Sequence, residues 1–365
     1  MNYALPSLFA LASVVQAILP NNVVTPSTSG SLSAIKYTNV GGSGTYNQVT
    51  SMIKGSWPSC TANPSCITTP KQVSGPLAPF NEEMTAVLRG PMTLHNIAVY
   101  QPSVNSSSAT WKRTSLWQQN SAPDNLVFMN NKGGGASGEW DIGDTIACGG
   151  NSQSFANGAF TDAVGSPNAE VHNGNLPNGN EVNIVTATSC TDVPCDGFAR
   201  GTASHGWAGS KAFVFEFEMP SDGSSTPPAI WLLNQQVVNA AQYGCNCRGM
   251  GGQGGCGELD VFEVLPNNLN QGISEIYSFK GATGGGDGNF FARPTGGVVT
   301  YMAILDMQTD SIAIQRLSSW DFGQAAMTRS IVDGYLGVPS KLVSFAAGNK
   351  RRSERPKFMH RRTMH

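Results

Sequence analysis

Apolar and polar side chains alternate from Lys211 to Met219, so Phe213, Phe215, Phe217 and Met219 fall on one face of an extended chain. Ala229 to Leu233, Glu258 to Leu265, Val298 to Leu305 and Ser311 to Leu317 are further apolar runs of strand length, and Leu94 to Tyr100 is another upstream. Glycine-rich stretches divide them, notably Gly249 to Gly257 and Gly281 to Gly288. One segment breaks the pattern. Asn81, Glu82 and Glu83 precede Met84, Val87 and Leu88, with Arg89 and Gly90 closing, and this order predicts a short capped helix. Residues 20–50 are mostly small and polar and read as a flexible lead-in, while Val104 to Thr110 reads as a linker, with a domain boundary between 103 and 130. Many short strands separated by glycine turns predict an all-β fold, a jelly-roll β-sandwich. The expected order is a signal peptide over 1–17, a smaller glycine-rich N-terminal domain over 35–103, the sandwich over 125–348 and a basic tail over 349–365.

Composition supports that class. The 365 residues include 42 Gly and 21 Pro, and 13% are charged. An ordinary soluble domain has about 25% charged residues. Coiled coils and long solvated helices are thereby excluded, because their outer faces need Glu, Lys and Arg. The net charge of −2 hides an asymmetry: Lys350 to His365 carries seven basic residues against Glu354, leaving 15 basic and 23 acidic residues elsewhere. An acidic body gives no footprint for nucleic acid.

Ala4 to Leu19 is almost wholly apolar and Ala17 is a small residue suited to signal cleavage, so export is expected. No later stretch reaches the roughly 18 apolar residues of a membrane span. The eight Cys then read as disulfides, with Cys190 to Cys195 and one pair among Cys245, Cys247 and Cys256 close enough to be local. A zinc site at the latter three lacks a nearby His as fourth ligand, so no metal is expected, and no cofactor. The glycine loops contain no Gly-Lys-Ser/Thr phosphate cradle. Asn105, Ser106 and Ser107 form an N-glycosylation sequon.

In so charge-poor a chain, Glu258, Asp260 and Glu263 form a concentration of carboxylates among apolar Leu259, Val261 and Phe262. In a regular strand Glu258 and Asp260 share a face and Glu263 points away. One β-bulge would bring Glu263 back. Three acids on one face suit retaining glycoside hydrolysis, which needs two carboxyls about 5–5.5 Å apart. Crowded carboxylates cannot all ionise, so one keeps its proton near neutral pH. An acidic strand face or a calcium site is the alternative reading of the spacing alone.

Glu258 to Glu263 resembles the Glu-x-Asp-x-x-Glu strand of glycoside hydrolase family 16, the laminarinases and related β-glucanases, and Pro228 to Asn234 resembles that family's Pro-Ala-x-Trp-Leu strand. The closer resemblance is to fungal "target of SBF" (Tos-type) cell-wall proteins. It rests on Gln242 to Cys247, Gly255 to Leu265 and Arg200 to Trp207, and upstream on Tyr37 to Gly44 and Leu77 to Met84. It covers roughly residues 35–300.

The resemblance implies a secreted wall enzyme acting on β-1,3-glucan, a glycosidase or transglycosylase, with Glu258 as nucleophile, Asp260 as its assistant and Glu263 as general acid/base. Aromatic rings stack on sugars, which makes Trp231 and Trp207 candidate substrate-binding residues. His205 reads as structural, and Asp306 and Asp310 as ordinary turn or edge acids. The alternative to an enzyme is a non-catalytic glucan-binding or structural cell-wall protein.

Overall fold

The computed structural model describes residues 19–26, 29–53, 65–130, 154–167, 171–221, 226–242, 245–249, 255–284 and 289–346. The signal peptide expected over 1–17, the basic tail from Asn349, and Cys60 and Cys148 lie outside them.

In chain order the first strands are β1 (Ala34–Thr38), β2 (Gly44–Ile53), β3 (Ser65–Val73), β4 (Met84–Arg89), β5 (Met92–Pro102), β6 (Thr110–Gln118) and β7 (Val127–Asn130). Then come β8 (Ser154–Ala156), β9 (Ala163–Val164), β10 (Asn175–Leu176), β11 (Glu181–Val185), β12 (Lys211–Glu218) and β13 (Ala229–Asn234), which runs into the short helix α1 (Gln235–Asn239). The remainder is β14 (Glu258–Leu265), β15 (Asn268–Ser278), β16 (Gly281–Gly284), β17 (Phe291–Ala292), β18 (Val299–Asp306), β19 (Ser311–Leu317), β20 (Ala326–Thr328), α2 (Arg329–Leu336) and β21 (Lys341–Ser344).

Two large sheets make the sandwich. The first runs β20-β6-β5-β12-β18-β19-β1-β21, with β10 added to β5; the second runs β16-β15-β14-β13-β4-β11-β7-β8-β9, with β17 added to β15. The β2–β3 hairpin stands apart from both. The expected alternation in β12 is present: Phe213, Phe215, Phe217 and Met219 enter the core between the sheets, while Ala212 and Val214 face a second cluster with Trp111, Val332 and Tyr335. Across the shared core Ile230, Leu232, Leu259, Val261 and Phe262 of the second sheet meet them. Burial of such side chains, roughly 1.5–3 kcal/mol each, is what holds the layers together. A ring cluster of Phe217, Phe262, Phe291 and Tyr301, with centroids 5.3–6.3 Å apart, fills the centre.

Several expectations are corrected. Met84–Arg89 is a strand, not a capped helix, because it lies between β11 and β13 with all six residues buried. A helix would leave one face of this run in water, whereas a central strand uses both faces. Glu82 and Glu83 do not open a helix either: Glu82 accepts from Tyr46 and Asn234, and Glu83 accepts from the Gly206 N–H. The lead-in is not wholly flexible, since Ala34–Thr38 pairs antiparallel with β19 and parallel with β21. Val104 to Thr110 is the tip of the β5–β6 hairpin, closed by Ser103 N–H donating to Thr110 O. Strands on both sides of the expected boundary pair with each other, β4 with β13 and β5 with β12, so β4 and β5 are built into the sandwich, while the β2–β3 hairpin of the same segment stands apart. Gly281–Gly284, expected as loop, adds a short strand to β15.

Asp306 and Asp310 do more than ordinary turn acids. Asp306 is fully buried and takes a two-pronged hydrogen bond from Arg329, at 2.6 and 2.9 Å. Asp310, at φ 48°, accepts from the Gly41 and Leu77 N–H groups at 2.8 and 2.7 Å, tying the N-terminal loops to the β18–β19 turn. Asp310→Ala is therefore expected to cost roughly 2–3 kcal/mol in urea denaturation, by stranding two backbone donors. Asp310→Asn, which keeps an acceptor and tolerates a left-handed backbone, should cost less than half of that.

Candidate active site

The second sheet's face away from the shared core carries three cross-strand rows. One contains Glu181, Arg89, Ala229 and Glu263; the next Asn183, Val87, Trp231, Asp260 and Glu275; the third Thr85, Leu233, Glu258 and Tyr277. The acids share this face because β14 shifts register: Ile230 pairs with Phe262 but Trp231 pairs with Asp260. Val261 is the extra residue, and Val261 and Phe262 both turn into the shared core. The bulge needed to align Glu263 with Glu258 and Asp260 is thus present. Gly272 makes room for it, since a Cβ there would come within 2.3 Å of the Phe262 ring.

Each outer glutamate meets its own guanidinium. Arg248 donates from Nε to Glu258 Oε2 at 2.6 Å and from Nη2 to Glu258 Oε1, forming a fork across the carboxylate. Arg89 donates from Nη2 to Glu263 Oε1 at 3.0 Å, from Nε to Pro227 O at 2.7 Å, and approaches Glu181 at 3.8 Å. It reaches Glu263 across Ala229, which is small enough to let it pass.

Asp260, between them, is 6% exposed, and no cation pairs with it among the described residues. Burial pushes its carboxyl pKa well above the usual range, and the charges of Glu258, Glu263 and Glu275 push the same way, against a smaller opposing pull from Arg248. Tyr277, which donates to Glu275, is raised by burial and by Asp260 and Glu275. Both shifts favour the protonated forms at this end of the sheet.

The aromatic expectations fare differently. Trp207 is in the shared core, 1% exposed, with Nε1 donating to Ser115 Oγ at 3.0 Å and its ring edge-on to Phe213. It cannot meet a sugar; the sequence shows its bulk but not its face. Trp231 is on the acid face opposite Asp260, yet it is only 2% exposed and the Arg89 guanidinium lies 5.5 Å from its ring centroid. Trp231 is a packing partner of Arg89 rather than an open stacking platform.

His205 is held at both ring nitrogens. Its Nδ1 bonds Glu83 Oε1 at 2.7 Å and its Nε2 bonds Val193 O at 2.9 Å. Cys190 and Cys195 near it form one disulfide, and Cys247 and Cys256 form another, so the local pairs are those expected. Cys190, Cys195 and His205 approach one another closely enough for a metal, but sulfurs joined in a disulfide cannot serve as thiolate ligands. A cavity of about 300 Å³ opens beside α1, lined by Lys71, Glu82, Glu83, His205 and Gln236. Within it Lys71 pairs with Glu82 at 2.6 Å and His205 with Glu83.

Arg89 and Arg248 were missed as site residues from the sequence. Reading residues 84–89 as a strand would have aligned Thr85, Val87 and Arg89 on one face. Arg248 directly follows Cys247, whose disulfide fixes it near β14.

The fold and site define an all-β sandwich protein with a carboxylate-lined strand. The chain belongs to the Tos1/YJL171C cell wall protein family: the model described as "Cell wall protein YJL171C/Tos1, C-terminal" matches residues 109–334, and its N-terminal counterpart matches residues 33–102. The two matched segments are adjacent in sequence but interleaved in the sheets.

Among curated relatives, the "Probable circularly permuted 1,3-beta-glucanase TOS1" of Candida albicans is 35% identical over 246 residues, 62% of this chain and 50% of that protein. The Saccharomyces cerevisiae protein of the same description is 35% identical over 245 residues, 63% and 50% of the two chains. The S. cerevisiae YJL171C relative is 29% identical over 326 residues, 81% of this chain and 78% of its own. The chain spans about half the length of the TOS1 relatives it matches. No solved structure matches it significantly.

The buried acid carries a stability signature. An Asp whose folded-state pKa is raised costs nothing below its unfolded pKa, and costs progressively more as pH rises through the folded value. Asp260→Asn is therefore expected to be more stable than the native protein by roughly 1–3 kcal/mol at about pH 8. That gain should shrink toward the ordinary aspartate range, as urea denaturation at several pH values would show.

Proposed function

We propose that this protein is an exported fungal cell-wall enzyme that cleaves or transfers β-1,3-glucan by a retaining two-carboxylate mechanism. The observation that carries this reading is the bulged strand that sets Glu258, Asp260 and Glu263 on one face, with the middle acid buried. The bulge leaves about four residue steps between Glu258 and Glu263, roughly 13 Å along the strand. Two glutamate side chains leaning toward each other can narrow that to the 5–5.5 Å of a retaining pair. The printed names of the relatives supply the substrate class. Export is supported by the apolar N-terminal run and by the disulfides.

In this mechanism Glu258, as carboxylate, attacks the anomeric carbon while the bond to the leaving oxygen breaks. Glu263 takes up a proton from solvent before attack and gives it to that oxygen, so the leaving sugar departs neutral. Glu263, now a carboxylate, takes a proton from water or from a sugar hydroxyl, which attacks the anomeric carbon and releases Glu258. Asp260 keeps a proton between them and limits the repulsion of three like charges. Hydrolysis and transglycosylation differ only in the acceptor.

One observation favours a non-catalytic glucan-binding role instead. The Arg248 fork occupies both oxygens of Glu258, and an oxygen so held is a poor nucleophile.

Product analysis on defined β-1,3-gluco-oligosaccharides separates these readings. The native protein is expected to give shorter products, or longer ones by transfer, with rates reduced at least 10³-fold in Glu258→Gln and Glu263→Gln. Intact sugars from the native protein, still bound by it, would establish the binding role.

A further inference from the structure

Among the described residues the outer acids have a guanidinium each and the middle acid has none. We propose that Arg89 and Arg248 are positioning residues that hold Glu263 and Glu258 as oriented carboxylates and leave the proton of the resting triad on Asp260. This rests on the reading of Glu258 and Glu263 as the catalytic pair.

The two arginines hold their partners unequally. Arg248 gives Glu258 a fork on both oxygens, and the Glu258 side chain is 9% exposed. The fork fixes the direction of both carboxylate oxygens. Attack needs the fork to open on one oxygen while the other N–H keeps its hold. Arg248 is placed for this by its neighbour Cys247, whose disulfide to Cys256 is two residues before Glu258.

Arg89 is shared. It gives Glu263 one hydrogen bond at 3.0 Å, and divides its remaining capacity between Pro227 O, the nearby Glu181 and the face of Trp231. Glu181 offsets part of its charge. The Glu263 side chain is also more open, at 26% exposed. A single hydrogen bond and greater exposure leave this carboxyl accessible to a substrate oxygen, as the general acid/base must be. Strong hold on the nucleophile and weak hold on the acid/base match the two roles.

Among the described residues, the other groups of the acid face add negative charge or none. Glu275 and Tyr277 stand across β15 from Asp260 and Glu258. Glu181 stands on β11 beyond Arg89. The proton is therefore expected on the buried acid that has no cation of its own among the described residues.

Two readouts test the assignment, one of them independent of turnover. The first is a titration of side-chain carboxyl ¹³C signals in native protein and in Asp260→Asn, Arg89→Gln and Arg248→Gln. The second is the pH dependence of kcat/KM on β-1,3-gluco-oligosaccharides. In native protein the carboxyl that titrates highest is expected to be the signal lost in Asp260→Asn. Removing a cation raises a neighbouring carboxyl pKa, by about 1–3 units at contact distance. Arg248→Gln should therefore raise the acidic limb by about one pH unit or more, and Arg89→Gln should raise the basic limb by a similar amount.

Ala229→Val guards against misfolding of the arginine variants. It leaves both charged residues in place but inserts a branched side chain between them, and it should reproduce the Arg89→Gln shift. Rates that fall with both limbs unmoved would reduce the arginines to structural residues. A highest-titrating carboxyl that belongs to Glu263 would overturn the placement of the proton. If native protein turns over no sugar, the catalytic reading fails, and the carboxyl titration still decides where the proton rests.

Discussion

The site depends on one extra residue in one strand. Period-two geometry in β14 would send Glu263 into the core that Leu259 and Val264 occupy, where an unpaired carboxylate is expensive. The Val261 bulge reverses that. It sends Val261 and Phe262 inward together and returns Glu263 to the face of Glu258 and Asp260. The neighbouring strand is adapted to it: the Phe262 ring occupies the space left by Gly272 and joins the cluster with Phe217, Phe291 and Tyr301. The same ring that fills the sandwich centre thereby fixes the register that brings the acids onto one face.

Placing three carboxylates together opposes folding, and the sheet offsets this unevenly. Arg248 and Arg89 compensate the two outer acids, while Asp260 is left to burial and to its own proton. Both arginines are supplied by elements far from β14 in function but adjacent to it in space. Arg89 comes from a central strand two places away, and Arg248 from a disulfide-held loop just upstream. The oxidised cysteines therefore contribute to the site as well as to stability.

Much of this was legible in the sequence, for a physical reason. The strands β12, β13, β14, β18 and β19 are long apolar runs whose pattern survives any arrangement of neighbours. The bulge could be anticipated from the spacing of the acids alone. Met84–Arg89 could not be separated from a helix, because a six-residue apolar run buried on both faces has no polar stripe to reveal its period. That single misreading concealed Arg89. Trp207 and Trp231 were indistinguishable in sequence, since which side of a sheet an aromatic faces depends on partners distant along the chain.

Chain order and architecture are also loosely coupled. The strand β1 lies between β19 and β21, so the first and last described strands are neighbours in one sheet. Chain ends that lie close together are common in compact domains. The central claim, that β14 presents a retaining nucleophile at Glu258, is tested most directly by covalent trapping. The protein would be incubated with a 2-deoxy-2-fluoro β-1,3-glucoside bearing a good leaving group, and the adduct located by peptide mass spectrometry. The account predicts one sugar per chain, attached to Glu258 and absent from Glu258→Gln. An adduct on another residue, or steady turnover to the inverted anomer with no adduct, would contradict it.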